Sequence, residues 1–418
     1  MSLDVPCAAP ARQANGDLTT EVIIVGGGLA GLSLATALAT AGVPVVCIDR
    51  DSPSAQCGAS YDHRTSALAY CSQKILDVIG VWPYLAADGA PITDIRVVDG
   101  ASPLFLHYDH KAVGLGPFGF VVDNIAIRRA LFQRLAQLPD LIHLAPATVT
   151  AVERGVGHAE VTLAGGRVIR GRLVVGADGK GSFCRQSAGI GLTRARYNQS
   201  AIICNIATEY PHHGVAVEHF HPQGPFALLP LTGNRVSVVW TEPTDMVSHY
   251  LSLSDAVFTA ELQRRAGDWL GAVHPITPRV AYPLGISHAA RYTADRLALI
   301  AEAAHTMHPI AGQGLNVGLR DVAALAEVIT DAYRLGMDTG TAAVLERYQR
   351  WRRFDTVLLL GVTDGLTRLF SNDIAPVRVA RDVGMALVNR LPGVKKVLMR
   401  HAMGIVGDLP RMIRGEAL

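Results

Sequence analysis

Three glycines and an aspartate near the N-terminus are the residues whose types and spacing most clearly indicate chemistry. Gly26, Gly28 and Gly31 form the pattern Gly-x-Gly-x-x-Gly, and Asp49 ends the next apolar segment. Such glycines permit a tight turn, a close approach of backbone to a pyrophosphate, and close packing of a helix on a sheet. A carboxylate at the following strand end can accept hydrogen bonds from both hydroxyls of a ribose. The pattern therefore predicts a site for an adenine dinucleotide.

The segments around these residues predict a βαβ unit. Val22–Val25 and Val45–Ile48 are short β-branched clusters typical of parallel strands buried on both faces, and residues 29–41 between them predict a helix. The N–H groups that open this helix would face the phosphates, where the helix dipole favours negative charge. The stretch is uncharged and long enough to cross a bilayer, but its glycines and Pro44 would interrupt a spanning helix. We therefore interpret it as part of a nucleotide-binding fold.

A second glycine-rich strand end carries a carboxylate. Leu173–Val175 predicts a core strand, and Asp178 and Gly179 follow it directly. Glycines at this place allow a carboxylate to reach the crevice in which open α/β sheets bind ligands. A plain Asp-Gly turn is the alternative interpretation.

A third strand end lies beside another predicted helix start. Leu297–Ile300 leads to Glu302, and a glycine-rich loop from Pro309 to Gly314 then enters a long helix at about Leu315. Because the first motif already serves the adenosine half of a dinucleotide, this site suits the other half. The carboxylate would bind a polyol chain, and the helix N–H groups would face a ring that becomes anionic when reduced. A flavin fits this description, whereas a nicotinamide is not held by a ribityl chain.

Several cationic and imidazole side chains have two readings. Arg64 precedes a predicted helix. It is expected either to bind an anionic group of the cofactor or substrate, or to form a salt bridge at the start of the helix. Arg128 lies near the start of a helix predicted at 125–138, where the dipole disfavours a cation, so another partner is expected. His219 and His221 share a strand face, but no carboxylate or cysteine completes a set at ligand spacing. We predict no metal site.

The order of the elements predicts an α/β fold: a Rossmann-type nucleotide-binding domain with an inserted antiparallel sheet and a C-terminal helical region. A helix is expected from about Ser66, and the last eighty residues are expected to be helical with breaks at Pro376 and Pro392. The predicted division is a flexible tail at 1–20, a nucleotide-binding domain at 21–91, 123–195 and 281–335, a substrate domain at 92–122 and 196–280, and the helical region at 336–418.

Composition narrows the setting of the protein. The net charge of +2 gives no global indication of a nucleic-acid partner. The six cysteines are scattered without a Cys-x-x-Cys pair, which favours a reduced, cytoplasmic chain. The first twenty residues lack the basic start and apolar core of a signal peptide.

The C-terminal region is basic and amphipathic. Arg390, Lys395, Lys396 and Arg400 alternate with apolar residues, and acidic residues are few after them. Two interpretations are open: a solvated basic face on a packed domain, or peripheral contact with an anionic membrane surface or partner.

In these motifs the chain resembles the group A flavoprotein aromatic hydroxylases, the family that includes para-hydroxybenzoate hydroxylase. The Gly26 motif, Asp178-Gly179 and the late Glu302 element occur in the family order. The segments HPIAGQGLNVGLRDVAALAE and NRLPGVKKVLMRHAMGIVGDLPR are similar to the ubiquinone-biosynthesis branch. The family usually has Gly-Asp where this chain has Ala301-Glu302, a departure that keeps the charge but lengthens its reach.

The resemblance implies bound FAD, with NAD(P)H or another electron donor as a transient co-substrate, and O2. The implied reaction hydroxylates the phenolic ring of a polyprenylated ubiquinone precursor through a flavin C4a-hydroperoxide, with other ubiquinone-biosynthesis proteins as partners. Three residues are expected near the flavin ring, Arg64, Pro309 and Gly312, and no side chain is expected to be catalytic. The expected cofactor contacts are Gly26, Gly28, Gly31, Asp49, Arg50, Arg128, Asp178, Glu302, Gly314, Leu315 and Asn316.

Three other functions share these motifs. A hydroxylase of a small soluble phenol would not need the basic tail, and a flavin reductase would not consume O2 in proportion to product. An FAD-holding but inactive subunit of a biosynthetic complex is the third, and the Ala301-Glu302 departure is compatible with it.

Overall fold

The structure is a computed structural model that describes residues 17–100, 105–308, 312–370, 381, 384 and 387–418, except for the side chains of 366–368. The strands in these ranges are β1 Leu18–Val25, β2 Val45–Ile48, β3 Thr65–Ala69, β4 Ala90–Ile92, β5 Asp94–Asp99, β6 Phe105–Asp109, β7 Gly119–Asp123, β8 Leu141–Leu144, β9 Val149–Arg154, β10 Ala159–Leu163, β11 Val168–Gly176, β12 Leu192–Thr208, β13 Val215–His221, β14 Gly224–Leu231, β15 Arg235–Pro243, β16 Val273–Pro275, β17 Val280–Ala289, β18 Thr293–Ala294, β19 Leu297–Leu299 and β20 His305–Thr306.

Helices connect and cover these strands. In the same ranges they are α1 Leu29–Thr40, α2 Pro53–Gln56, α3 Tyr70–Val78, α4 Asn124–Leu135, α5 Phe183–Ser187, α6 Val247–Ser252, α7 Asp255–Ala266, α8 Gln313–Arg334, α9 Ala342–Phe370 and α10 Pro392–Ala402. Short 3-10 turns include Ala301–Ala303 and Arg411–Arg414.

The first sheet has a parallel core in the order β19-β11-β1-β2-β8, with β18 antiparallel at one edge. In addition, β10 pairs with β11, and β9 pairs with β10. Its central strands β1 and β2 are apolar runs, and their residues 22–25 and 45–48 are buried, as expected for strands covered by helices on both faces. The helix α1 lies against it with ten of its residues buried. This sheet and its helices form the largest hydrophobic core.

The register of this sheet brings four strand ends to one edge. Val25 pairs with Ile48 on one side and with Gly176 on the other, and Gly176 pairs with Leu299. The chain segments that leave β1, β2, β11 and β19 therefore start side by side. In open α/β sheets this carboxyl edge is where ligands bind.

The second sheet is larger and mostly antiparallel, in the order β20-β17-β12-β15-β14-β13-β5-β6, with β16 paired to β12. The pairing of β13 with β5 is parallel. One face carries Phe226, Leu228 and Trp240, which pack with Phe258 and Leu262 of α7 in a separate core. Because side chains alternate along a strand, the residues between them point to the opposite face, toward the first sheet.

A small third sheet, β3-β7-β4, differs from the sequence prediction. The helix expected from about Ser66 begins at Tyr70, and Thr65–Ala69 is a strand instead. The reason is long-range pairing: Thr65 pairs with Asp123 and Ala69 with Gly119. Gly119 makes this possible, since a Cβ there would lie 1.9 Å from the Leu68 carbonyl oxygen.

One other prediction about an element end needs correction, and one is confirmed. The strand β1 starts at Leu18, inside the segment expected to be a flexible tail. The break predicted at Pro392 is confirmed: residues 387–390 are helical, Leu391 is not, and Pro392 is the first residue of α10, a position at which the missing N–H costs nothing. Pro376 lies outside the described residues. The predicted α/β architecture with an additional antiparallel sheet and C-terminal helices is confirmed.

The cysteines follow the sequence expectation only in part. Cys47, Cys71, Cys184 and Cys204 are free and buried. Cys57 is disulfide-bonded, so the expectation of a fully reduced chain is wrong at that residue.

Candidate active site

A cleft of about 1990 Å³ lies between the carboxyl edge of the parallel sheet and one face of the large sheet. Its lining includes Gly28 at the start of α1 together with Gly312 and Leu315 at the start of α8. The two helices also meet: a Cβ at Gly318 of α8 would lie 3.9 Å from the Ala30 Cβ of α1. The two helix N-termini that the sequence analysis placed on the two halves of one dinucleotide therefore face a single cleft.

The three glycines of the first motif occupy different environments. Gly26 has φ +107°, and a Cβ there would lie 2.4 Å from the Ala177 carbonyl oxygen. A Cβ at Gly31 would lie 1.8 Å from the Gly26 carbonyl oxygen, so Gly31 allows α1 to rest on the turn and does not itself line the cleft. A Cβ at Gly28 would meet no atom within 4 Å, so a side chain there would project into the cleft. The turn thus leaves open backbone for a phosphate.

Asp49 stands at the end of β2 and already holds the turn. Its Oδ2 accepts a hydrogen bond from the Gly27 N–H at 2.5 Å and its Oδ1 one from the Asp51 N–H at 2.7 Å. Burial raises the pKa of Asp49, and these two backbone hydrogen bonds oppose the rise. Each carboxylate oxygen keeps a further lone pair for a ribose hydroxyl. Arg50 also lines the cleft, but its side chain is 82% exposed and only 3.6 Å from Asp51.

Asp178 lines the cleft just beyond the end of β11. Its Oδ2 accepts a hydrogen bond from the Cys184 N–H at 3.0 Å. Its Oδ1 is buried, and no hydrogen-bond partner for it exists among the described residues. A buried acceptor without a partner costs about 1–3 kcal/mol. Because this oxygen is closed off in the present conformation, a ligand hydroxyl in the cleft would reach it only after the side chain turns.

Glu302 lies across the cleft edge in the turn Ala301–Ala303. Its side chain is half exposed, and its carboxylate is 3.7 Å from the Lys180 ammonium. The preceding Ala301 has φ +51°, a left-handed conformation that favours glycine. The backbone of this chain therefore keeps the shape expected of a Gly-Asp sequence, with alanine accommodated in it.

Of the residues predicted to contact the cofactor at the start of α8, some line the cleft and one does not. Gly312, at φ +62°, caps the helix and lines the cleft together with Gly314 and Leu315. Asn316 does not line it: its amide donates to the Ala67 and Gly312 carbonyls and accepts from the Ala69 N–H and the Ser72 hydroxyl. With every hydrogen-bonding position of the amide in use, Asn316 joins α8 to β3 and α3. Pro309 lies outside the described residues.

The two predicted arginines, Arg64 and Arg128, both contact the carboxylate of Asp62. Arg64 forms a two-pronged ion pair with Asp62, at 2.8 and 2.9 Å, and its guanidinium lies 5.4 Å from the Tyr282 ring. Arg128 is buried, bonds Gln56 at 3.1 Å, and has a buried Nε without a partner among the described residues. Burial opposes ionisation of Asp62, but the Arg64 contacts outweigh it and lower the pKa of Asp62 to about 2. Arg64 thus has the salt bridge that the sequence allowed, and it also faces the cleft.

A buried ionic network behind the cleft was missed by the sequence analysis. Asp321 of α8 is fully buried and accepts hydrogen bonds from His305 at 2.6 Å, from the Ala301 N–H at 3.0 Å and from Arg352 at 2.8 Å. Burial alone would raise the pKa of Asp321, but the charges of His305 and Arg352 lower it. The network fixes the strand end at Ala301 to α8 and α9. The only signal for this network in the sequence was the spacing of Arg and Asp within LRDVAALA and RWRRFD. Which of these residues pair could be seen only in the fold.

The other wall of the cleft is the inner face of the large sheet. A row of residues that are paired across neighbouring strands consists of Val97, Glu218, Ala227, Val239 and Ile203. All five line the cleft, and Glu218 is the only polar member. No hydrogen bond or ion pair engages its carboxyl among the described residues, and burial raises the pKa of Glu218 to about 7. In the sequence, nothing distinguished Glu218 from the other polar residues of its strand.

The histidines that first suggested metal have other contacts. His219 Nε2 hydrogen-bonds the Gly100 carbonyl oxygen at 2.7 Å, and its ring contacts that of His221 at a tilt of 37°, with centroids 4.0 Å apart. In the ranges the structure describes, no group of three or more potential metal ligands comes together.

These features fit an extended dinucleotide with a flavin ring. Open backbone at Gly28 and the carboxylates of Asp49 and Asp178 line one end of the cleft, and such groups suit the pyrophosphate, ribose and polyol parts of a dinucleotide. FAD supplies redox chemistry when bound; the chain supplies position and a shielded environment.

Comparison with known proteins gives the family. The FAD binding domain family matches residues 19–355. Ubiquinone hydroxylase UbiL of Rhodospirillum rubrum is 50% identical, with 99% of this chain and 97% of that protein covered. The 3-demethoxyubiquinol 3-hydroxylase of Escherichia coli is 34% identical, with 92% of this chain and 99% of that protein covered.

A solved structure shows the same fold at low identity. The p-nitrophenol 4-monooxygenase PnpA from Pseudomonas putida DLL-E4 superposes with a TM-score of 0.78 at 19% identity, over 93% of this chain and 99% of that one. The FAD motifs, the fold and the close relatives agree. The chain belongs to the FAD-dependent aromatic-ring monooxygenases, in the ubiquinone-hydroxylase branch.

Proposed function

We propose that this monooxygenase hydroxylates the phenolic ring of a polyprenylated ubiquinone precursor, with O2 as the oxygen source and NAD(P)H or another donor as the electron source. The observation that carries the proposal is the continuity of the cleft. It runs from Gly28 and Asp49, past the start of α8, to the apolar face of the large sheet. One cavity can therefore hold FAD at one end and a largely apolar substrate at the other.

The residues proposed to hold FAD divide by the part of the molecule they contact. Gly26, Gly28 and Gly31 shape the pyrophosphate turn, and Asp49 takes the ribose. Asp178 and Glu302 accept hydrogen bonds from the ribityl chain. The remaining proposed contacts are Arg50, Arg128, Gly314 and Leu315 along the cofactor, with Arg64, Pro309 and Gly312 nearer the ring. Asn316 acts behind the site, through the position of α8.

The proposed place of the polyprenyl tail is the apolar end of the cleft. Leu106, Phe220 and Phe370 form a cluster there, and Phe220 stacks on Phe370 with ring centroids 4.2 Å apart. The lining continues to Leu398 and Met399 of α10. Burial of isoprene units against such side chains contributes about 25 cal/mol per Å² of apolar surface.

We also propose that α10 is the site of peripheral membrane contact. Val394, Val397 and Leu398 are 46%, 54% and 41% exposed, beside the exposed Lys396 and Arg400. Two later basic residues are ion-paired instead: Arg411 with Glu327 and Asp331, and Arg414 with Glu416. None of the helices within the described ranges is long and apolar enough to cross a bilayer. Surface contact would place the apolar end of the cleft at its lipid-borne substrate.

Turnover tests the reaction. Purified protein with FAD, NAD(P)H and a prenylated phenol in air should give a product heavier by one oxygen atom, formed in proportion to the NAD(P)H consumed. NAD(P)H consumption without a hydroxylated product would support a reductase. Absence of both with every candidate donor would favour an FAD-holding subunit.

Vesicle flotation tests the membrane contact. The wild type should float with vesicles that contain anionic lipid, and the double change Val397→Asp with Lys396→Glu should abolish flotation. The double change Val156→Asp with Arg129→Glu is the matched control, since it alters the net charge equally at two exposed side chains outside the C-terminal region. Equal flotation of all three proteins would contradict the assignment of α10.

A further inference from the structure

Glu218 is a titratable side chain in the cleft that the FAD site does not use. It lies on β13, where it pairs with Ala227 of β14 on one side and with Val97 of β5 on the other. Val239 and Ile203 extend the row across β15 and β12. A carboxyl in the middle of an apolar wall carries a desolvation cost that a structural role does not repay. In a cleft, such a group is a candidate for contact with a ligand.

Glu218 lies between the proposed flavin-ring site and the apolar end of the cleft. Two residues before it on the same face, Ala216 belongs to a cluster that includes Ala67. Ala67 is next to the start of α8, since a Cβ at Gly312 would lie 2.9 Å from its Cβ. Residues two apart in a strand are about 6.6–6.8 Å apart. Glu218 is therefore one step along the strand from the wall of the proposed flavin-ring site.

In the other direction the strand leads to the apolar end. Two residues after Glu218 on the same face, Phe220 packs with Leu106 and Phe370. A prenylated phenol has the same order of chemistry, with a polar hydroxyl on a ring and an apolar tail attached to it. With the tail along the Phe220 cluster, the ring would lie beneath Glu218 and toward α8.

Few charged groups face Glu218 from the neighbouring strands. On β5, Asp99 shares its face, but Asp99 is ion-paired with Arg381 at 2.8 Å. On β6, Tyr108 shares it, and burial raises the pKa of Tyr108 to about 12. The inward-facing residues of β14 and β15 next to Glu218 are Ala227 and Val239. Desolvation is thus the one effect acting on Glu218, and it places the ionisation of its carboxyl near neutral pH.

We propose that Glu218 accepts the hydroxyl proton of the phenolic substrate and so activates the ring for oxygen transfer. The inference rests on the proposed function and adds a residue to it. The phenolic O–H bond breaks, the proton forms an O–H bond with the Glu218 carboxylate, and the electron pair left on oxygen delocalises into the ring. A phenol is a weak acid at rest, with a pKa near 10. Its hydroxyl becomes acidic as the ring gives electron density to the incoming oxygen, so the transfer accompanies attack. The proton leaves to solvent after product release.

Two predictions distinguish this role from a structural one. First, kcat/KM should rise with pH through about 7 in the wild type, because protonated Glu218 cannot accept a proton. Glu218→Gln should lower kcat by roughly 100-fold or more, the range of general-base catalysis, and remove that acid limb. Glu218→Asp keeps a carboxylate and should retain the limb at a reduced rate. Glu160→Gln, a surface change outside the cleft, should behave as the wild type.

Second, a binding measurement without turnover should show whether Glu218 recognises the phenolic hydroxyl of the ligand. The oxidised holoenzyme is titrated with 2-prenylphenol and with its methyl ether at a pH above 8. The wild type should prefer the phenol by about 10-fold to 100-fold, as expected for a hydrogen bond to a charged acceptor, and Glu218→Gln should lose most of that preference. Bound FAD is measured in every variant. If Glu218→Gln does not fold, Glu218→Met replaces it, because methionine also lacks a proton acceptor and matches the apolar residues beside it.

The outcomes separate the inference from the function on which it rests. If the wild type hydroxylates the prenylated phenol, and Glu218→Gln keeps both the acid limb and the preference for the phenol, the inference is wrong and the proposed function stands. If the wild type gives no hydroxylated phenol and does not distinguish phenol from ether, the proposed function is wrong and the inference falls with it.

Discussion

The contact between Ala301 and Gly318 allows a stability test of the cofactor-site geometry. Gly318→Ala should destabilise the protein, because an ideal Cβ at this residue lies 2.9 Å from the Ala301 Cβ. Carbon atoms in optimal contact are about 3.5–4.0 Å apart. The next nearest atom is the Ala301 Cα at 3.6 Å, an ordinary contact. The second change Ala301→Gly therefore removes the clash and leaves α8 otherwise unaltered.

The expected energies follow from these distances. Overpacking by one methyl costs about 1–3 kcal/mol, and alanine stabilises a helix interior by about 1 kcal/mol relative to glycine. Gly318→Ala alone should thus cost about 0–2 kcal/mol. Ala301 has φ +51°, which costs an alanine about 1–2 kcal/mol, so Ala301→Gly alone should be neutral or slightly stabilising after the entropy cost of glycine. The free energy of unfolding of the double variant should be higher, by about 1–3 kcal/mol, than the value obtained by adding the effects of the two single changes.

Equilibrium unfolding in urea measures this coupling, with and without added FAD. The four proteins of the cycle are compared at equal protein concentration, and the slopes of the transitions are checked for equality. Additivity of the two changes within about 0.5 kcal/mol would refute the reasoning, since residues without a shared contact behave in that way. It would mean that α8 does not approach Ala301 as described.

Three other predictions concern carboxylates and their partners. Asp178→Ala should weaken FAD binding by roughly 10-fold to 100-fold in a fluorescence titration. The control Asp109→Ala, outside the cleft, should leave FAD binding unchanged. Equal FAD affinities of the two variants would exclude the ribityl contact of Asp178. Stability should fall in acid as pH drops from about 4 toward 2, because the pKa of Asp62 is lowered to about 2 by its Arg64 contacts; Asp62→Asn should flatten that part of the unfolding curve. Arg352→Met should destabilise by about 3–5 kcal/mol, because it leaves Asp321 buried with one cationic partner fewer; a loss below 1 kcal/mol would contradict the network.

The glycine turn and the strand ends that line one end of the cleft were predictable because their signals are local. Gly26, Gly28 and Gly31 are glycines for steric reasons that act within one turn, and Asp49 follows from the end of a recognisable strand. Glu302 could be placed by the same logic at the end of a later strand. Their convergence depended only on parallel pairing, which the hydrophobic runs indicated.

The remainder depended on contacts between distant segments. The strand β3 exists because Thr65–Ala69 pairs with β7, and no local pattern distinguishes it from the start of a helix. Asn316 looked like a cofactor contact because it lies at a helix start, yet its amide is used by β3 and α3. Glu218 became notable only when the row across five strands showed apolar residues on both sides of it.

Isotopic labelling of the product tests the central claim most directly. The holoenzyme is supplied with NAD(P)H, a prenylated phenol and heavy-isotope O2 in ordinary water, and the product is weighed by mass spectrometry. The account predicts one heavy oxygen atom in each hydroxylated molecule and none in unreacted phenol. Product oxygen that comes from water, or turnover of the electron donor without labelled product, would contradict it.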